Sequence, residues 1–233
     1  MKNFILTFDI DWAPNFAIEH CLDLLDISNT KATFFTTHET PLNTEITSRG
    51  HILGIHPNFL PNSSQGKDTA SILKKCLTFA PEAWCMRTHA LVQSTPLFYE
   101  IFTNFPQIRL DVSLLMHRSS YAHKCIWEFN GVSAERLMYN WEDDAEFSEQ
   151  RFGIPSELFF GKLTVCDFHP IHVFLNSSNG SEYNDLKSAI HEKSLFEITK
   201  AEAAKYINKG AGVETHLKSL LSANAVCLKL DEI

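Results

Sequence analysis

No apolar run in the 233 residues approaches the ~20 consecutive apolar residues needed to span a bilayer. A charged N-terminal stretch leading into an apolar segment, the mark of a secretory leader, is also missing. Basic clusters are absent: Lys and Arg number 20 against 28 Asp and Glu, and the net charge of -8 is spread along the chain. Nucleic acid and anionic membrane surfaces are therefore poor partners. The six cysteines (Cys21, Cys76, Cys85, Cys125, Cys166 and Cys227) form no Cys-x-x-Cys pair, and most lie among apolar neighbours, as buried free thiols do. No repeat occurs and no linker is long enough to divide the chain. These absences point to a reduced, soluble, cytoplasmic protein with one domain over 1–233. What is present fits that reading: 44% of residues are hydrophobic and 18 are Phe, enough for a sizeable core.

The order of elements alternates strand and helix. Phe4 to Phe8 reads as a short buried strand, and Phe16 to Ile27 as a helix packing on a sheet. Ala32 to Thr36 is a second strand, Leu42 to Arg49 a short helix ending at Gly50, and His51 to His56 a third strand. A helix over Asp68 to Phe79, capped by Asp68, follows a polar loop. Further strands are expected at Ala83–Thr88, Leu110–Leu115, Gly161–Phe168 and His172–Leu175, and a helix at Thr95–Asn104. The Ser/Asn/Gly-rich stretch from Asn176 to Glu182 reads as a loop, and residues 177–233 as a mainly helical part with a strand-like end at Ala225–Leu230. Such alternation favours a parallel α/β sheet or barrel, whose catalytic groups collect at the C-terminal ends of the strands.

The pair Asp9-Ile10-Asp11 closes the first strand. Alternate side chains of a strand project the same way, so the two carboxylates should share a face. Like charges there need a cation or a shared proton to coexist. A turn is the competing explanation, since Pro14 and Asn15 follow. Other polar groups recur where strands should end: His51 and His56, Arg87 and His89, the run Trp141-Glu142-Asp143-Asp144, and Asp167-Phe168-His169-Pro170-Ile171-His172. Carboxylate plus imidazole suits zinc or a similar divalent ion, with a second carboxylate to take a proton from water and a histidine to protonate a leaving group.

Thr7-Phe8-Asp9-Ile10-Asp11, Ala32-Thr33-Phe34-Phe35 and Gly50-His51-Ile52-Leu53-Gly54-Ile55-His56, in that order, resemble the opening motifs of the NodB-homology polysaccharide deacetylases, carbohydrate esterase family four. Arg87 and Asp167-Phe168-His169-Pro170 extend the resemblance to about residue 175. It implies a distorted (β/α)7 barrel, closed by the helical part 177–233, and metal-dependent removal of N- or O-acetyl groups from sugars. By position, Asp9 would be the general base, Asp11 and His56 metal ligands, Arg87 the group orienting the base, and His169 the general acid, with His172 competing. Trp141, Asp143, His89 and His172 would line the substrate pocket. One departure stands out: the family's second metal histidine falls on Leu60, which cannot bind a metal. Gln65 or Asn58 could substitute, His38 or His89 could reach in, or binding could be impaired; an amide oxygen is a poorer zinc ligand than imidazole. Because no leader is seen, the expected substrate is a nucleotide- or lipid-linked saccharide precursor of a surface polysaccharide or O-antigen. Two other readings stay open: a non-catalytic sugar-binding protein on the same barrel, and a related amide or formyl hydrolase.

Overall fold

In a computed structural model of the chain, residues 3–152, 163–190, 193–223 and 225–233 are described. Strand β1 (Asn3–Asp9) is followed by helix α1 (Asn15–Ile27), β2 (Thr33–Thr36), α2 (Leu42–Ser48) and β3 (Ile52–Ile55). Then come α3 (Thr69–Phe79), β4 (Cys85–Met86), α4 (Thr95–Asn104) and β5 (Leu110–Leu115). A hairpin, β6 (Lys124–Phe129) and β7 (Val132–Tyr139), leads to β8 (Trp141–Glu142) and β9 (Leu163–Phe168). The chain ends with α5 (Pro170–Leu175), α6 (Ser181–Ile190), α7 (Lys200–Ala203), α8 (Val213–Leu221) and β10 (Val226–Cys227).

Neighbouring strands run β6-β7-β5-β4-β3-β2-β1-β9-β8, parallel throughout except for the β6–β7 hairpin. Leaving β6 outside, the path closes on itself, because only Asn140 separates β7 from β8. That residue ties the join: its N–H donates to Val165 O at 3.1 Å, and its side-chain oxygen accepts from Val165 N at 2.8 Å. The sheet thus curls into a distorted barrel of seven staves, β7 and β8 forming one kinked stave.

Strand alternation sorts the side chains. Phe4, Leu6 and Phe8 of β1 face outward into a layer formed with α1, α5 and α8, whereas Ile5 joins Phe35, Cys85, Val112, Leu137, Tyr139 and Val165 inside the barrel. Leu230, from the segment after β10, seals this interior beside the N-terminal end of β1. Gly54 is required by the same packing. A Cβ there would meet the Phe35 ring at 2.7 Å and the Cys85 carbonyl oxygen at 2.9 Å. Helices α3 and α4 cover the outer face of β3, β4 and β7 with Ile72, Leu73, Phe98 and Ile101. Asp68 caps α3 through a reciprocal pair of hydrogen bonds with Ser71, as its position before the apolar run indicates.

Two expectations need correction. His172–Leu175 is helix rather than strand: Pro170 opens a turn of α5 in which every residue is buried, and a short run that is apolar on all sides carries no period to distinguish the two. The β6–β7 hairpin was not among the expected elements, although its Asn130-Gly131 turn, with φ of 49° and 77°, is the pattern that two-residue hairpins favour. Gly161 and Lys162, at the start of the expected strand Gly161–Phe168, lie outside the described residues.

Candidate active site

At the C-terminal end of the barrel the inward positions of successive strands change from apolar to polar. On β1 the sequence Ile5, Thr7, Asp9 climbs from core to site, and on β9 Val165, Asp167 and His169 do the same. Register pairs Thr7 with Asp167. Arg87, just beyond β4, joins them and is completely buried. Its Nη1 donates to Asp9 Oδ1 at 2.9 Å and to Asp167 Oδ1, its Nη2 to Thr7 Oγ1 at 2.9 Å, and its Nε to the Val112 carbonyl at 3.0 Å. The guanidinium also lies over the Tyr139 and Phe35 rings, 4.2 and 4.8 Å from their centroids. A buried charge needs this number of partners, since desolvation alone would strongly disfavour it. Burial and the neighbouring negative charges of Asp9 and Glu142 push the Asp167 carboxyl well up, against the opposing pull of Arg87.

Asp9 is therefore held on one side only. Its Oδ1 takes the arginine, while Oδ2 faces His56 Nε2 at 3.6 Å. Beyond it, three atoms converge: His56 Nε2 lies 3.1 Å from Asp11 Oδ1, His89 Nδ1 lies 3.0 Å from the same oxygen, and the two nitrogens are 3.3 Å apart. A tetrahedral centre with metal–ligand bonds of about 2.0–2.1 Å places its ligand atoms about 3.3 Å apart, so the spacing suits a shared zinc-like cation. The donor set fits too: one carboxylate and two imidazoles are ordinary zinc ligands. Burial of Asp11 opposes its charge, but hydrogen bonds from His56 and His89 more than offset this and hold its carboxyl well below the usual range. Backbone strain accompanies the cluster. Asp11 and Trp12 have φ of 45° and 54°, and Ala90 and Leu91 have 52° and 53°, in the left-handed region that side chains other than glycine rarely adopt.

Leu60 offers no donor here, and the third atom beside Asp11 and His56 is His89 Nδ1. Leu60 is exposed in the loop after β3. Gln65 spends its amide on the main chain: its Oε1 accepts from Asn58 N at 2.6 Å, and its Nε2 donates to the carbonyls of Thr37 and His56 at 2.9 and 3.1 Å, so the amide braces the loop. Asn58 uses its side-chain oxygen on Leu60 N, and His38 lies against Thr37 and the Phe196 ring. His89, expected either to line the substrate pocket or to reach in, is the imidazole that lies beside Asp11 and His56. Its main chain is fixed by a hydrogen bond to the Pro57 carbonyl, and its ring stands edge-on to Trp12.

On the other side of Asp11 stands His169, with Nε2 3.7 Å from Asp11 Oδ2. Both oxygens of buried Asp143 serve this residue: Oδ1 is 2.7 Å from His169 Nδ1 and Oδ2 accepts from His169 N at 2.8 Å. Burial disfavours charge on His169, but Asp143 outweighs it and lifts the imidazolium well above the usual histidine range. Asp143 consequently faces a histidine and not the pocket in which the sequence reading placed it. Trp141 is likewise in the core, stacked on His216 at 4.5 Å with an interplanar angle of 11°. His172 is buried, its Nδ1 3.1 Å from Ser177 Oγ and its ring edge-on to Phe147 and Tyr183. His51, on the N-terminal side of β3, accepts from Ala32 N and stays away from the cluster.

Three polar participants carried no assigned role in the sequence: Thr7, Asp167 and Glu142. The first two are readable in retrospect, each two residues before a site residue on the same strand face. Glu142 pairs in register with Asp167 and accepts from Tyr139 Oη at 3.0 Å. Burial and the negative charge of Asp144 push it up to about 8.

A family model for WbmS-like polysaccharide deacetylases matches residues 6–187. A search of curated proteins gave no match. Among solved structures, one from Bordetella bronchiseptica, described as a polysaccharide deacetylase involved in O-antigen biosynthesis (WbmS), superposes with a TM-score of 0.80 and 30% identity, covering 94% of this chain and 89% of that one. A family 4 acetyl xylan esterase from Clostridium thermocellum in complex with a cobalt ion has a TM-score of 0.49 and 16% identity, covering 99% of this chain and 89% of that one. The catalytic domain of a peptidoglycan N-acetylglucosamine deacetylase from Eubacterium rectale has a TM-score of 0.47 and 18% identity, covering 86% and 90%. The last two likenesses are too low to bear on the chemistry. The family model spans most of the chain and the Bordetella protein covers nearly all of it, and the chain belongs to the WbmS-like polysaccharide deacetylases.

Proposed function

We propose that this protein hydrolyses the acetyl amide or ester of a saccharide precursor with a divalent cation, zinc by preference, held by Asp11, His56 and His89. The observation that carries this reading is the convergence of those three ligand atoms between two differently held acid–base groups, Asp9 and His169. The cation, when bound, supplies Lewis-acid polarisation of the acyl carbonyl and acidifies water. The rest belongs to the chain. Asp9 takes the proton of the attacking water on Oδ2, while Arg87 keeps Oδ1 occupied and the carboxylate aimed. His169, kept charged by Asp143, gives a proton to the departing amine or alkoxide. The acyl carbon–nitrogen or carbon–oxygen bond breaks, leaving acetate and the free sugar amine or hydroxyl.

The substrate class rests on the Bordetella relative, which is described as involved in O-antigen biosynthesis. A nucleotide- or lipid-linked N-acetylated saccharide is the expected substrate. None of the helices among the described residues is long and apolar enough to cross a membrane. The test is acetate release from a panel of N-acetylated nucleotide sugars and lipid-linked saccharides, with zinc or cobalt added and with chelator. Chelator-sensitive release from at least one member supports the proposal. No release from any member at saturating metal would refute it.

A further inference from the structure

Strand β6 forms the open edge of the sheet beyond β7, and among the described residues no strand pairs with its outer side. Edge strands are usually short, charged or interrupted by proline, because their free N–H and C=O groups invite another chain. This one has six residues, Lys124-Cys125-Ile126-Trp127-Glu128-Phe129, with no proline, and Ile126 is 64% exposed.

The hairpin register tells which main-chain groups point outward. Phe129 pairs with Val132 across the two-residue turn, Trp127 with Ala134 and Cys125 with Arg136. The pair flanking a two-residue turn exchanges both hydrogen bonds, and such pairs then alternate along an antiparallel ladder. The bond from Met138 N to His123 O, at 3.1 Å, continues the same alternation. Lys124, Ile126 and Glu128 therefore turn their N–H and C=O groups away from β7. By strand alternation, their side chains also share one face.

These three residues are complementary to themselves. In an antiparallel pairing of two copies about a twofold axis at Ile126, Ile126 lies opposite its own copy. Lys124 then lies opposite Glu128 of the second chain, and Glu128 opposite its Lys124. Every outward N–H and C=O of the three finds a partner, giving six main-chain hydrogen bonds, and both cross-strand ion pairs have opposite charges. In the single chain Lys124 Nζ bridges Glu135 and the Ile233 main-chain oxygen at 3.0 and 2.8 Å, contacts at a half-exposed side chain that a facing glutamate can join.

We infer that β6 is a self-pairing edge through which two copies of this chain associate, extending the sheet antiparallel across a twofold axis at Ile126. This isologous arrangement is the commonest kind in soluble homo-oligomers. The residues involved take no part in the active site, so the inference stands independently of the proposed chemistry.

Charge exchange tests it. Sedimentation velocity of the full chain should show twice the chain mass. Lys124→Glu alone faces Glu against Glu at both ends and should shift the protein to monomer, as should Glu128→Lys. The double variant Lys124→Glu/Glu128→Lys restores opposite charges in the same register and should recover the dimer. Circular dichroism of each variant, expected to match the parent, separates loss of pairing from loss of fold. Three results would overturn the proposal: a monomeric parent at every concentration, a dimer that survives both single exchanges, or a double variant that stays monomeric while folded.

Discussion

At the scale of single residues, His89 is the one of the several weighed alternatives to Leu60 that lies beside Asp11 and His56. Its imidazole closes the cluster with Asp11 and His56, whereas Gln65, the other nearby group able to reach in, spends its amide on loop carbonyls and a main-chain N–H. His89→Ala should therefore weaken zinc affinity by more than the 10- to 100-fold typical of losing a group that merely supports a ligand. Gln65→Ala should loosen the loop and cost stability with a smaller effect on affinity; competitive chelator titration reads both. Within the carboxylate pair, Asp9→Asn should lower turnover by about 10²- to 10⁴-fold and leave metal content unchanged, because an amide can still accept from Arg87 but cannot take a proton. Asp11→Asn should instead release metal, and the reverse pattern in elemental analysis would exchange the two roles. The residues that meet here were largely legible in the sequence, because Asp9, Asp11, His56, Arg87 and His169 each follow a strand and strand ends gather on one rim. The direction of His89 was not legible. The residue sits at the start of a segment whose next residues, Ala90 and Leu91, are left-handed, a conformation no residue type there announces. Asp143 was hidden for a similar reason, since a carboxylate beside a tryptophan suggests a pocket until β8 is seen to turn it onto His169.

At the scale of elements, the parallel strands and their helices followed the apolar pattern closely. Thr95–Asn104 and Leu110–Leu115 appear with the bounds expected from sequence. What failed was the reading of short runs without a period. His172–Leu175 is buried on every side, and only the preceding Pro170 favours helix. Each strand's inner face is filled to contact, and β3 shows what that demands. Gly54→Ala would place a methyl 2.7 Å from the Phe35 ring and 2.9 Å from the Cys85 carbonyl, well inside van der Waals contact. Overpacking of this kind costs about 1–3 kcal/mol, which should lower the urea midpoint without changing the slope. The Phe35 ring can be trimmed but the carbonyl cannot move independently. Phe35→Leu in the Gly54→Ala background should hence recover part of the loss, a coupling that independent sites would not show.

At the scale of the whole molecule, stability should depend on pH through histidines buried in neutral form. His216 of α8 is 1% exposed, stacked on Trp141 and edge-on to Phe152, so it belongs to the layer that joins α8 to the sheet. Burial, only partly offset by Glu146, pushes it down to about 4, and burial with nearby Lys31 does the same to His51. An unfolded chain would protonate both near 6.5. At these two sites the unfolded state thus binds more protons between pH 6.5 and 4, so their contribution to stability is complete above that window and is lost as the pH drops through it. His169 works in the other direction: it is held charged in the fold, so its contribution is present below about 6.5 and is lost as the pH rises. For His216, more deeply enclosed than His51, the contribution of the neutral form is on the order of a few kcal/mol, a large share of the stability of a domain of this size. His216→Phe keeps an aromatic ring on Trp141 and removes the proton. Denaturation midpoints measured from pH 7 to 4 should then fall further in the parent than in the variant. His51, His38, His172 and Glu142 titrate alike in both, and only the His216 contribution differs. Parallel curves for the two proteins would mean that His216 accepts its proton without leaving the fold, and that the layer around α8 admits water.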